Sequence, residues 1–308
     1  MAESHIDHYL VGEVMLGDKQ SIEQMGTKPK FWTMDPKTGK LWLFKYGRKN
    51  TGEDWSEKIA AEVAELLAIP HAVTELAKCD GRPGTVSLDF TEQGSRGSLV
   101  HGNELLIVVI SDYPQEQTFH ASQHTLANIV CAIRLADNSL PPEYPVGIRE
   151  PIDLFLGYLM LDALIGNTDR HHENWGLLVK SAPYHAELAP TFDHASSLGR
   201  ELQDQKRESF MAGQGNGIAG YAKKARSAIY ASSDDRHPLT TLEAVLLLAK
   251  QRPDAYATWQ QRLAMLSDER FHEVVYRVPE EFMSSASKDF AFRLLMCNKT
   301  RILETSLG

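Results

Sequence analysis

The feature that most constrains this chain is an abrupt change of character at mid-sequence. Leu154, Phe155, Tyr158, Leu159, Leu161, Leu164 and Ile165 form an apolar helical run that stops at Gly166-Asn167, a helix-ending pair. A short apolar run, residues 175–179, follows and predicts a strand. Between them residues 167–174 are nearly all polar or ionisable, with Asp169, His171, His172, Glu173 and Asn174 side by side. Such a loop between two buried elements is a candidate site, because loops on rigid supports commonly carry chemistry.

The spacing narrows the chemistry. Asp169 and Asn174 stand in the D-x-x-x-x-N interval of a kinase catalytic loop, where Asp accepts the acceptor hydroxyl's proton and Asn holds magnesium. Residues 185–189 predict a second strand after a turn at 181–184. If the two strands pair as a hairpin, Asn174 and Asp193 meet at one end. With Asp169 beside them, that is an oxygen-ligand set suited to Mg²⁺ on a triphosphate.

Two motifs now resemble a known family, the HipA-like kinases, toxin kinases of bacteria. They are Gly166-Asn167-Thr168-Asp169-Arg170-His171-His172-Glu173-Asn174 and Leu188-Ala189-Pro190-Thr191-Phe192-Asp193-His194-Ala195-Ser196-Ser197, and the likeness runs from about Ser21 onward. The resemblance implies an α+β, two-lobed protein-kinase-like fold, with a strand-rich lobe over residues 1–112 and a mainly helical lobe over 113–308. It implies ATP and Mg²⁺ as cofactors, with Asp169 as base and Asn174 and Asp193 as metal ligands. A protein Ser/Thr hydroxyl is the implied acceptor, and a cognate antitoxin the implied partner. His171 is expected to line the nucleotide pocket with Phe192 beside it. Gly26, Thr27, Lys28 and Lys30 align with a phosphate-covering loop; read without the resemblance, they are a solvated turn before a strand, and no Walker A sequence is present. Where the family carries an inhibitory autophosphorylated serine, this chain has Glu23 and Gln24, leaving Ser21 or Thr27 to take that role. Only about 110 residues precede the expected hinge, too few for the extra N-terminal subdomain of the larger toxins.

Along the chain, residues 31–34 and 40–46 predict strands around a turn at 35–39. Alternation sets Leu41, Leu43 and Lys45 on one face and Trp42, Phe44 and Tyr46 on the other. Lys45 either reaches water at the strand end or is an ammonium that needs an anionic partner; the resemblance assigns it to nucleotide phosphates. Its glutamate partner would come from a helix over 54–68, where Glu57, on a small-residue face, competes with Glu62; the family pattern favours Glu57. Strands are expected at 73–79 and 85–90, then an apolar strand at 104–110 leading to a hinge, with Ile110 and Asp112 meeting adenine. Residues 120–137, 151–165, 240–250, 253–266 and 279–306 predict helices. Residues 196–228, dotted with glycine and basic at Lys223, Lys224 and Arg226, predict an irregular, activation-segment-like loop.

Composition bears on compartment and partners. With 43% hydrophobic and 24% charged residues the chain reads as globular, and a net charge of −9 argues against a nucleic-acid-binding surface. Three scattered cysteines (Cys79, Cys131, Cys297) suit a reducing compartment. Neither a signal peptide nor a membrane-spanning run is apparent, so a cytoplasmic protein without membrane contact is expected. Two rivals remain. One is a metal hydrolase drawing on His171, His172, Glu173, His185, Asp193 and His194, although the spacing matches neither an H-E-x-x-H helix nor a cysteine cluster; without a metal, one loop histidine is expected to brace a backbone carbonyl and the other to be exposed. The other is a kinase-shaped nucleotide-binding module without transfer activity.

Overall fold

The computed structural model describes residues 7–15, 19–22, 29–118, 120–136, 140, 144–181 and 184–307. In chain order the first part holds β1 (Val11–Val14), β2 (Lys19–Ile22), β3 (Lys30–Met34), β4 (Leu41–Tyr46), α1 (Glu53–Leu66), β5 (Thr74–Cys79), β6 (Arg82–Leu88), β7 (Ser98–His101) and α2 (Gly102–Val109). The second holds α3 (Leu126–Ile133), α4 (Pro151–Ile165), β8 (Gly176–Ser181) and β9 (Tyr184–Leu188). It continues with α5 (Asp204–Met211), α6 (Gly217–Lys224), α7 (Thr241–Ala249), α8 (Pro253–Met265), α9 (Asp268–Tyr276) and α10 (Ser285–Glu304).

Six strands form one sheet in the order β1-β5-β6-β4-β3-β2, with β1 parallel to β5 and the other pairs antiparallel. A second, antiparallel sheet has the order β7-β8-β9. Strand β7 therefore joins the β8–β9 hairpin, setting His101 opposite Gly176.

Helix α4 is the axis of the core. Every one of its residues is buried, and it packs among α7, α8 and α10. Its N-terminus is capped by the Asp153 carboxylate, which accepts from the N–H groups of Arg149 and Glu150 at 3.0 Å, and Pro151 sits in the first turn. It ends at Gly166, whose φ of 66° is a left-handed conformation that glycine adopts without a Cβ penalty. A small cluster of Phe31, Phe44, Ala77 and Cys79 fills the other face of the large sheet.

Several stretches differ from the sequence expectation, and the helix expected over 120–137 is confined to Leu126–Ile133. Residues 104–110 are not a strand: α2 ends at Val109 and Ile110 caps it. Glu104 accepts from the N–H of His101 at 2.9 Å, and the run Glu104-Leu105-Leu106-Ile107-Val108-Val109 has no period of two, so the cap favours a helix. The segment 196–228 is not irregular throughout, because it carries α5 and α6, which close over Phe290 of α10 through Phe210 and Tyr221. Before α10 stands a separate helix, α9, and the helix expected from residue 279 starts at Ser285.

Candidate active site

The loop after α4 is braced from within before it presents anything outward. Arg170 is fully buried and grips Asp162 of α4 through Nε and Nη2 at 2.8 and 2.7 Å, while its Nη1 donates to the Asn174 carbonyl at 2.6 Å. Asn167 donates to Asp162 Oδ1 at 2.8 Å and accepts from the Asp169 N–H at 3.1 Å. With Arg170 and Asn167 turned inward, Asp169 is left half-buried at the surface of the loop.

Asp169 Oδ2 accepts from the Ser196 hydroxyl at 3.3 Å, and Oδ1 lies 3.8 Å from His171 Nε2. Burial lifts its carboxyl above the ordinary aspartate range, and the Asp193 charge adds to the lift against the opposing pull of His171. Asn174 is buried and spends its Nδ2 on the Asp169 carbonyl at 2.7 Å, which leaves its amide oxygen for another partner.

Lys45 enters from β4, opposite Lys30 of β3. Its Nζ lies 3.4 Å from Asp193 Oδ2, the two side chains being 17% and 35% exposed. Burial disfavours the ammonium, but Asp193 and then Glu57 outweigh it and hold the lysine charged. Glu57, on α1, is buried; its Oε1 accepts from the His194 N–H at 3.0 Å, and its Oε2 has no hydrogen-bond partner among the described residues. Burial alone would raise its carboxyl, yet the neighbouring His194 and Lys45 hold it below the usual range. Lys45, Glu57, Asp193, Thr85 and Ala195 line one cleft. Glu62 takes no part: it pairs with Lys58, which also reaches Glu75. Asp193 has a positive φ of 58°, and its strand-like neighbour Thr191 is tied to the chain after α1 by Thr191 N–H to Pro70 and Ala72 N–H to Thr191.

The histidines depart from expectation. Both His171 and His172 are buried, so neither is the exposed one, and His172 Nδ1 meets the Tyr113 hydroxyl at 2.7 Å instead of a backbone carbonyl. His194 is buried against Thr191 and Glu57, and His185 sits beside Glu187. Among the described residues no three His, Cys, Asp or Glu side chains converge on a metal-ion cage. Phe192 packs against Phe90 at 5.6 Å and His101 at 5.9 Å. Ile110 packs on the main core, and Asp112 follows in a left-handed conformation. Gly26, Thr27 and Lys28 lie outside the described residues, as does the side chain of Ser21.

Sequence reasoning passed over Glu53, Phe90, His101 and Arg200. Glu53 is nearly fully buried at the start of α1 and pairs with both Arg48 and Arg200. None of the four lies within either motif, and nothing in local spacing links Glu53 to Arg200, a residue so distant in the chain.

A strand-rich sheet with one helix carrying a buried glutamate, set against a helical half with a loop-and-hairpin carboxylate site, defines a kinase-like α+β fold. The chain belongs to the HipA-like C-terminal domain family, whose model matches residues 22–278. The structure resembles the proinflammatory kinase CtkA of Helicobacter pylori, with a TM-score of 0.68 and 20% identity over 95% of this chain and 99% of that one. It also resembles HipA in the Shewanella oneidensis MR-1 toxin–antitoxin complex with HipB and operator DNA, with a TM-score of 0.52 and 11% identity over 92% of this chain and 65% of that one. No curated protein sequence matches significantly. Family membership, with a fold shared with a kinase, supports a kinase-type function. No helix among the described residues is long and apolar enough to cross a membrane.

Proposed function

We propose that the protein is an ATP- and Mg²⁺-dependent kinase that phosphorylates a Ser/Thr hydroxyl of a protein. The observation that carries this reading is the meeting of Lys45, Glu57 and Asp193 at one cleft with Asp169 beside them. The donor set fits a hard divalent cation: a part-exposed Asp193 carboxylate, and an Asn174 amide whose nitrogen is already engaged. Asn174 and Asp193 would hold Mg²⁺ there, supplying positive charge to offset that of the phosphates.

The chain's own residues do the rest. Lys45 binds phosphate oxygens, and the unpartnered Oε2 of Glu57 is the acceptor that fixes it in that position. Asp169 orients the acceptor hydroxyl and takes its proton as the acceptor oxygen bonds to the γ-phosphorus and the bond to the ADP oxygen breaks. Gly26, Thr27, Lys28 and Lys30 cover the phosphates. His171 and Phe192 line the nucleotide side, where Phe90 and His101 add aromatic surface for a base. Self-phosphorylation falls on Ser21 or Thr27, and the protein works in the cytoplasm. Because the HipA neighbour is held in a complex with HipB, an antitoxin-like partner protein is part of the proposal.

The test is incubation of pure protein with Mg²⁺ and γ-labelled ATP, with casein as acceptor, followed by phosphoamino-acid analysis and phosphopeptide mapping. Phosphoserine or phosphothreonine supports the reading. Phosphotyrosine alone overturns the acceptor assignment, and absence of modification at both Ser21 and Thr27 overturns the self-phosphorylation site.

A further inference from the structure

Two of the buried carboxylates of helix α1, Glu53 and Glu57, stand four residues apart, and each holds a different side of the site. Glu57 lies with Lys45 and takes the His194 N–H. Glu53 pairs with Arg200 Nη1, and the backbone reinforces this contact because the Gly52 N–H donates to the Arg200 carbonyl at 2.9 Å. Arg200 Nη2 donates to Ser196 Oγ at 3.0 Å, and Ser196 Oγ in turn donates to Asp169 Oδ2 at 3.3 Å. The Ser196 carbonyl accepts from the Thr168 N–H at 3.1 Å, so the serine is also fixed to the residue just before the base.

We propose that Glu53, Arg200 and Ser196 are positioning residues for phosphoryl transfer: they hold Asp169 in register with α1, so that one helix sets both the phosphate-binding lysine and the base. The inference rests on the kinase reading above. The chemistry is geometric. A hydroxyl that accepts from a guanidinium has its proton directed away from it, here toward Asp169 Oδ2. That occupies one carboxylate oxygen and leaves Oδ1 to meet the acceptor. Glu53 is needed because Arg200 unpaired could swing onto the base itself and compete with the acceptor hydroxyl. Displacement of a reacting group by about 1 Å costs on the order of 100-fold in rate, so the relay acts on turnover and leaves nucleotide affinity alone.

The test measures ADP release in Mg-ATP, with water as acceptor, alongside Mg-ATP affinity by calorimetry and thermal unfolding. Ser196→Ala, Arg200→Gln and Glu53→Gln are each expected to lower kcat by on the order of 10- to 100-fold, with KM and Kd for Mg-ATP unchanged. Ser196→Thr, which keeps the hydroxyl, restores the rate. In an Asp169→Asn background Ser196→Ala costs nothing further, because its effect passes through the base. An unchanged kcat in the single variants, or a full additional loss in the Asp169→Asn background, overturns the relay while leaving the kinase standing. A wild-type protein that neither releases ADP nor labels itself, or one whose activity survives Asp169→Ala, overturns the kinase reading and the relay together.

Discussion

Two ion pairs in this molecule, Asp162–Arg170 and Asp193–Lys45, differ in burial and geometry in the way a structural pair differs from the ligand-binding pair proposed above. Asp162 and Arg170 are 2% and 0% exposed, joined by two bonds of 2.7–2.8 Å, and their remaining capacity is filled by Asn167 and the Asn174 carbonyl. Asp193 and Lys45 stand 3.4 Å apart, are 17–35% exposed, and border a buried Glu57 oxygen with no partner among the described residues. The first pair is geometrically complete, as a buried ion pair must be to offset desolvation. The second is longer, more exposed and borders that unpartnered Glu57 oxygen, which is what the proposed phosphate and cation site requires.

That contrast can be broken by experiment. The largest effect is expected from Asp162→Ala, which strands a buried guanidinium and should cost about 3–5 kcal/mol of stability, read as a lowered urea midpoint. Next comes acid. His172 is pushed down to about 4 by burial and the charge of His171, and His124 down to about 3 by burial first, with its Ala228 hydrogen bond opposing. Unfolded, both titrate near 6.5, so between pH 6.5 and 4 the unfolded chain binds the extra protons and stability falls with the pH, by up to roughly 3 kcal/mol for each imidazole. Urea titrations at pH 7, 5.5 and 4 check this; a flat response would show that these imidazoles accept protons in the fold. Tyr113→Phe removes the hydroxyl facing His172 Nδ1 and should cost about 1 kcal/mol, seen in the same titration. Smallest in stability is Asp193→Ala, expected within about 1 kcal/mol because the pair is loose and part-exposed, even though calorimetry should show Mg²⁺-dependent ATP binding lost. If Asp162→Ala and Asp193→Ala destabilise equally, the distinction between the two pairs fails.

The legible parts of the chain are those where local chemistry and tertiary structure agree. Helix α4 begins at Pro151 and ends at Ile165, as its apolar run, proline and glycine-asparagine stop indicate. The β8–β9 hairpin also follows its turn chemistry, with Leu177 opposite Leu188. By contrast, residues 105–110 are apolar throughout and carry no decisive period; the cap from Glu104 and packing on α3 make the run to Val109 helical. In α5 and α6 weak local helix signals are outweighed by burial against Phe290. The loop histidines were misjudged because Tyr113, the partner of His172, lies 59 residues away and local spacing carries no sign of it. For the same reason Glu53 and Arg200, 147 residues apart, could not be paired by reading along the chain.

The most direct test of the central claim is transfer of γ-labelled phosphate from Mg-ATP by wild-type protein, Asp169→Ala and Asp193→Ala in parallel. The account predicts label on the protein or on an added acceptor in the wild type, reduced at least about 100-fold in Asp169→Ala and absent in Asp193→Ala, with all three proteins folded at pH 7. Transfer that persists undiminished in both variants would contradict it.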